Sequence, residues 1–228
     1  MVVGYSAAQV RAAEAPHLAA GEPLMRRAAT ALAATIRRML SERGAPGGPV
    51  VLLIGSGDNG GDALFAGAEL ALEGVGVYAV PTSERRHIAG EQAARDAAVR
   101  FIESAGHPDS AADVIETAAI VVDGILGTGT SASPALRGAA REIVAAAMPI
   151  VARRGIPVVA VDLPSGIHPD DGTVPDPTVL PATVTVTFGA VKAGLLLEPA
   201  SRYTGRLELV DLGLGDELAR MAPLVTTE

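Results

Sequence analysis

The chain has 228 residues, no cysteine and no tryptophan, and its 18 Lys+Arg against 26 Asp+Glu leave a formal charge of −8. That length suits one ordinary domain, and a 49% hydrophobic content excludes a disordered chain. The lack of cysteine excludes disulfides, zinc–thiolate sites, iron–sulfur clusters and a cysteine nucleophile, and the acidic balance argues against nucleic acid as a partner, because such binders need a basic surface.

The N-terminal residues lack the basic and apolar regions of a secretory leader. No apolar run approaches the roughly 18–20 residues that span a bilayer, so a cytoplasmic protein with no membrane partner is expected. Ser6 can cap a short helix over Ala7–Ala15 that Pro16 would end. A second helix is predicted from about Pro23 through Arg43, with Leu24, Ala28, Ala31, Leu32, Ile36 and Leu40 at helical spacing. Its arginines read as a solvated face. Residues 5–43 thus form a helical N-terminal segment, and the Gly/Pro stretch 44–49 is a connector.

From there to residue 215 the texture is α/β. Strands are predicted at Val50–Ile54, Val75–Val80, Ala119–Val122, Pro157–Val161, Thr183–Phe188 and Arg206–Val210, and helices at Asp62–Glu73, Gly90–Ala105 and Leu136–Arg154. Strands apolar throughout, alternating with helices, imply a three-layer, Rossmann-like fold: a mostly parallel central sheet with helices on both faces. Residues 169–181 read as an exposed loop, and 216–228 as a tail.

Ligands of an open parallel sheet bind beyond the carboxyl ends of its strands, so the turn at each of those ends matters. After Val50–Ile54 comes Gly55-Ser-Gly-Asp-Asn-Gly-Gly-Asp62, a G-x-G-x-x-G pattern before a helix. Such a turn lets backbone approach a phosphate; it also reads as a tight βα turn with Asp62 near the helix start. The next strand ends in Pro81-Thr82-Ser83 rather than the acid that holds a ribose, which weakens a dehydrogenase reading. Asp123 is followed by a glycine and hydroxyl loop through Ser133, Asp162 by Leu-Pro-Ser165-Gly, and Phe188 by Gly-Ala-Val-Lys192. Turn chemistry explains any one of these; four on one sheet edge indicate a site. Lys192 is the only lysine beside 17 arginines, and only lysine can be tuned for proton transfer. Asn59, Asp123 and Ser165 offer oxygens from three strand ends with a single carboxylate, a set suited to a hard, weakly charged cation.

These motifs resemble the NAD(P)H-hydrate epimerase family, also called the YjeF N-terminal domain family. Its G-x-G-N-N-G-G-D loop matches Gly55–Asp62, D-x-x-x-G-T-G matches Asp123–Gly129, V-D-x-P-S-G matches Val161–Gly166, and T-V-T-F-G-x-x-K matches Thr185–Lys192. The resemblance implies epimerisation of hydrated NADH and NADPH at nicotinamide C6, a cofactor-repair step that feeds an (S)-specific NAD(P)H-hydrate dehydratase, and a homodimer. It further implies that Asp162 and Lys192 are catalytic, and that Asn59, Asp123 and Ser165 hold K+. Asp58, Asn59, Gly60, Gly61, Asp62, Gly127, Thr128, Gly129, Thr130, Ser131, Ala132, Ser133 and Asp162 would contact the dinucleotide.

The sequence departs from the family pattern at Asp58, at Ala63 and at Leu24-Met-Arg-Arg-Ala-Ala29, where the family has L-M-E-N-A-G. Asp58 beside a pyrophosphate would be repulsive by about 1 kcal/mol at about 4 Å in water; it could instead support the cation or meet a ribose hydroxyl. Two other readings remain open: a non-catalytic nucleotide-binding or interaction domain on the same fold, and an NAD(P)-dependent oxidoreductase.

Overall fold

The computed structural model of the chain describes residues 2–103, 108–129 and 133–227. In chain order the elements are β1 (Val2–Gly4), α1 (Ala7–Ala19), α2 (Leu24–Glu42), β2 (Val50–Ile54), α3 (Asp58–Leu72), β3 (Val77–Pro81), α4 (Ile88–Asp96), β4 (Arg100–Phe101), α5 (Pro108–Glu116), β5 (Ile120–Gly124), α6 (Gly138–Arg154), β6 (Val158–Val161), β7 (Val184–Phe188), α7 (Ser201–Thr204), β8 (Arg206–Val210), α8 (Gly215–Leu218) and β9 (Val225–Thr227). A 3-10 turn covers Ala193–Leu196.

The main sheet has seven strands in the order β4-β3-β2-β5-β6-β7-β8, every pair parallel. Alternation along β2 builds the three layers. Val50, Leu52 and Ile54 face one cluster with α2, α3 and α4, while Val51 and Leu53 face a second with α5 and α6. All five β2 residues are buried, which is why this strand reads as an unbroken apolar run. The chain builds β2, β3 and β4 outward in one direction, then returns to lay β5 on the other side of β2. That reversal leaves a crevice beyond the ends of β2 and β5, where such sheets take ligands.

Four sequence expectations change. Pro16 does not end α1: Ala20 still donates to the Pro16 carbonyl at 3.0 Å, and the helix reaches Ala19. A Ser6–Gln9 capping box and the burial of Val10 and Ala13 outweigh the interior proline's cost of about 3 kcal/mol. Helix α3 starts four residues earlier than predicted, so most of the glycine loop is its first turn. The predicted helix Gly90–Ala105 stops at Asp96, and β4 follows beside Tyr78 and Ala79; two residues are too few to show a period.

Finally, residues 216–228 are not a tail, for they carry most of α8 and all of β9. Strand β9 pairs antiparallel with β1, Val2 opposite Thr227. His17 of α1, between Glu22 at 2.8 Å and Glu217 at 3.3 Å, ties α8 down. A pairing 225 residues apart leaves no local pattern to read. The chain from β1 then enters the site: Tyr5 donates to the Val191 carbonyl at 2.8 Å and accepts from the Ala193 N–H at 2.9 Å, on either side of Lys192.

Deleting residues 225–228 should therefore destabilise the protein by roughly 1–2 kcal/mol, the worth of a few lost hydrogen bonds, as read by urea unfolding. A truncated chain as stable as the full one would show that β9 carries no load.

Candidate active site at the carboxyl edge of the sheet

The turn after β2 is built by close approach. A Cβ on Gly55 would lie 1.8 Å from the Ile125 carbonyl oxygen, and one on Gly60 would lie 2.2 Å from the Gly55 carbonyl oxygen. Neither glycine has a positive φ; each is needed because backbone from β5 or from the turn itself passes too near for a side chain. Among the described residues nothing lies within 4 Å of where a Cβ on Gly57 or Gly129 would sit, so there a ligand can approach the backbone. The start of α3 adds free N–H groups and the positive end of a helix dipole. A cavity of about 260 Å³ lies between Ser56–Asn59 and Ile125–Gly129. Another of about 360 Å³ continues past Thr82, Ser83, Ser133 and Arg137, sharing Ser56 and Gly129 with the first.

Sequence-predicted residues from three strand ends meet behind this crevice. Ser165 donates its hydroxyl to Asp123 Oδ1 at 2.6 Å and its N–H to Oδ2 at 2.8 Å, and its Oγ accepts from the Leu126 N–H at 2.8 Å. Buried Asn59 joins them, donating Nδ2 to the Leu126 carbonyl at 3.0 Å and to the Val161 carbonyl. Burial raises the Asp123 carboxyl, and the bonds from Ser165 and Ile125 oppose that. Asp123 and Ser165, bonded to each other, and the Leu126 and Val161 carbonyls that Asn59 binds bring together hard oxygens with a single carboxylate, the donor class that suits a hard, weakly charged cation. Among the described residues no group of three His, Cys, Asp or Glu is placed to hold a metal.

Asp162 and Lys192 also meet. Lys192 Nζ donates to Asp162 Oδ1, to the Phe188 carbonyl at 2.8 Å and to Thr187 Oγ1 at 3.3 Å. Asp162 further accepts from the Thr187 hydroxyl and the Phe188 N–H, both at 3.2 Å. Lys192 is only 2% exposed. Asp162 has φ +67°, a left-handed conformation costing about 1–3 kcal/mol outside glycine; its N–H bond to the Val186 carbonyl at 2.8 Å helps to hold it.

A smaller cavity of about 140 Å³ reaches Phe188, which bonds to both members of the pair, and is also lined by Glu14, Leu18, Leu24, Met25, Ala28, Asp58, Asp62 and Leu212. Asp62 is buried, and its Oδ1 has no hydrogen-bond partner among the described residues. Burial first, then the charges of Asp162 and Asp58, push its carboxyl well above the ordinary range. Met25 and Ala28 face this cavity, whereas Arg26 stacks over the Phe65 ring at 3.9 Å and Arg27 pairs with Glu22 at 3.2 Å. The two arginines that replace the family's Glu and Asn thus point away from it.

Of the remaining predicted residues, Gly61 lies in the first turns of α3, and exposed Asp58 opens that helix and borders two cavities. Gly127, Thr128 and Gly129 line the crevice, as does Ser133 further along. Thr130, Ser131 and Ala132 lie outside the described residues. Helix α1 was legible in the sequence, but not that it brings residues to this site. Arg11 donates to the Thr128 carbonyl at 3.1 Å, and Glu14 lines the smaller cavity. One signal was available: Glu14 is the only acid in α1.

The raised Asp62 carboxyl gives a sign for stability. Its folded-state pKa exceeds its unfolded value, so the folded protein binds more protons between the two, and stability falls as pH rises through that window. Asp62→Asn should be more stable than the parent at neutral pH, with the difference vanishing below the ordinary Asp value of 3.8. Thermal midpoints measured across pH check this; a difference that grows toward acid would refute it.

Comparison with known proteins places this geometry. Residues 21–194 match the family model described as YjeF-related protein N-terminus. The chain is 55% identical over 225 residues to the NAD(P)H-hydrate epimerase of Clavibacter michiganensis, covering 97% of this chain and 94% of that one. It is 48% identical to the protein of that name in Microbacterium testaceum, covering 99% and 84%. The bifunctional NAD(P)H-hydrate repair enzyme of Mycobacterium tuberculosis is 42% identical over 92% of this chain and 41% of its own. In structure the chain resembles the crystal structure of a yeast protein, YNL200c, with TM-score 0.70, 22% identity and coverage of 85% and 82%. With the family model spanning most of its length, the chain belongs to the YjeF-related protein N-terminus family.

Proposed function

We propose that this chain interconverts the R and S forms of hydrated NADH and NADPH at nicotinamide C6. The observation that carries the reading is the buried Asp162–Lys192 pair, next along the chain to Val161, whose carbonyl is bound by Asn59 from a crevice formed by two glycine-rich loops, in a chain about half identical to proteins named for this activity. The phosphates are met by backbone N–H groups at the start of α3 and in the loop after β5, where Gly57 and Gly129 leave the backbone bare. This reconciles dinucleotide binding with a net charge of −8.

The C6 hydroxyl is attached beside N1, so the substrate is a carbinolamine. Proton delivery to that oxygen breaks the C6–O bond, its electron pair leaves as water, and the N1 lone pair forms N1=C6. Water then returns to the other face and releases a proton. Lys192 donates to Asp162 within one hydrogen-bonded unit, an arrangement that suits this transfer; general acid–base help of this kind gives about 10²–10⁴-fold. The oxidoreductase reading loses ground because β3 ends in Pro81 and Thr82 follows, with no acid to hold a ribose.

Asn59, Asp123 and Ser165 would hold K+, which would supply positive charge behind the pyrophosphate when bound. The chain would act upstream of an (S)-specific dehydratase, the two activities that relatives named bifunctional combine. It would work in the cytoplasm, where both cofactors turn over, and pair as a homodimer, for which exposed Val3 and Leu209 beside one shallow cavity offer apolar surface. Among the described residues no helix is long and apolar enough to cross a membrane.

Mixed NADHX epimers supplied to an (S)-specific dehydratase should be consumed completely and quickly only when this protein is added. Unchanged consumption of the R form would end the epimerase reading. Asp162→Asn should stop the acceleration. Lys192→Ala should also cost about 3–5 kcal/mol, since it strands a buried carboxylate, so its loss of activity must be read beside its unfolding curve. Separately, K+ at constant ionic strength should raise the thermal midpoint, by about 1.4 kcal/mol of stability at ten times Kd, and Ser165→Ala should weaken the effect. An equal response to Na+ and K+ in both proteins would count against the cation assignment.

A further inference from the structure

Three cavities follow one another along the carboxyl edge of the sheet. The glycine-lined crevice shares Asp58 with the smaller cavity, and shares Ser56 and Gly129 with the larger one of about 360 Å³. Strand order gives the series a direction. Asp162 follows β6 and Lys192 belongs to the turn after β7, whereas Thr82 and Ser83 of the larger cavity follow β3, and β2 and β5 stand between. A dinucleotide with its hydrated ring at Asp162–Lys192 and its pyrophosphate in the crevice therefore extends its adenosine half toward β3, into the larger cavity.

The two ends of the series differ in charge. Glu14, Asp58 and Asp62 line the smaller cavity, and no cation does. Arg137 lines the larger one, and no carboxyl does. Arg137 is exposed, immediately precedes α6, and its side chain makes no capping bond. Among the described residues its guanidinium has neither a hydrogen-bond partner nor an acid to pair with. Arg11, also near the crevice, is instead engaged by the Thr128 carbonyl.

The hydroxyls around Arg137 divide by role. Thr82 and Ser83 donate to the Ile54 and Arg85 carbonyls, so toward a ligand they can only accept. Ser56 and Ser133 line the same cavity with hydroxyls free to donate. A free guanidinium beside hydroxyl donors, with no carboxylate opposite, suits a phosphate better than a neutral ribose. Parallel sheets that bind dinucleotides use an acid at the end of the next strand for a ribose 2′-hydroxyl, or a nearby arginine for a 2′-phosphate. Here Pro81 ends that strand, Thr82 and Ser83 follow it, and Arg137 shares their cavity.

We propose that Arg137, with Ser56 and Ser133, forms a subsite for the 2′-phosphate on the adenosine ribose, so that the chain prefers hydrated NADPH to hydrated NADH. The inference rests on the epimerase reading above for the reaction that it tunes. Arg137 is here a specificity residue, remote from the reacting carbon.

The test compares the full chain with Arg137→Gln, on hydrated NADPH and hydrated NADH in turn, each as mixed epimers with an (S)-specific dehydratase. The parent should show the higher kcat/KM on the phosphorylated substrate. Arg137→Gln should cut the ratio of the two kcat/KM values by about tenfold or more, the worth of a hydrogen bond to a charged group, and Arg137→Lys should keep part of it. Titration with adenosine 2′,5′-bisphosphate and with 5′-AMP reads the subsite without turnover: the parent should bind the bisphosphate more tightly, and Arg137→Gln should lose that margin. A parent with no preference in either pair overturns the proposal, as do equal losses on both substrates, which would put Arg137 on a group that the two share. A parent that does not speed R-form consumption fails the epimerase reading alone, and the titration then still decides the subsite.

Discussion

A lysine ammonium taken out of water loses its hydration at a cost of several kcal/mol, and it stays charged only if a carboxylate and further acceptors surround it. Lys192 is buried under that condition, and much of the carboxyl edge of the sheet is arranged to meet it. Asp162 supplies the charge, Thr187 and the Phe188 carbonyl supply the remaining acceptors, and the Phe188 N–H donates back to Asp162. The ends of β6 and β7 are thereby fixed together. Asp162 adopts a backbone conformation that few non-glycine residues hold, and the strain is tolerated because the surrounding bonds determine its position.

The second constraint is steric. Beyond β2 and β5 the two turns approach until only glycine fits at position 55, and the first turn folds back on itself until only glycine fits at position 60. That contact brings Asn59 to the Leu126 and Val161 carbonyls and sets Asp123 against Ser165. The oxygen cluster and the crevice above it have the same cause, so the glycine-lined crevice and the candidate cation site are coupled by packing. The glycine pattern here serves backbone proximity more than unusual dihedrals.

The third element is α1, which lies outside the parallel sheet yet closes the site. It is tethered at both ends: β1 pairs with β9 before it, Tyr5 bonds on either side of Lys192, and His17 contacts Glu217 beyond it. Arg11 and Glu14 on this helix face the loop after β5 and the smaller cavity. The N-terminal helix and the C-terminal residues therefore bear on the same chemistry as the sheet, although neither carries a recognisable motif.

The sequence by itself determined the seven-strand region's class and most of its strands, because a strand buried on both faces must be apolar at every position and β2 is. It also determined Asp162, Lys192, Asn59, Asp123 and Ser165 as candidates, because turn residues at the carboxyl ends of parallel strands share one edge of the sheet. Only the tertiary structure decided the rest. The β1–β9 pair joins residues from opposite ends of the chain, β4 is too short for a period, and α1 runs through Pro16 because capping and packing outweigh a local penalty. Arg26 and Arg27 turn from the cavity while Met25 and Ala28 line it, a choice made by helix rotation against α3. Glu14 became visible for the same reason: a carboxylate on a helix is ordinary surface until the fold sets it in a cavity with Asp58, Asp62 and Phe188, and that proximity is not written in its neighbours along the chain.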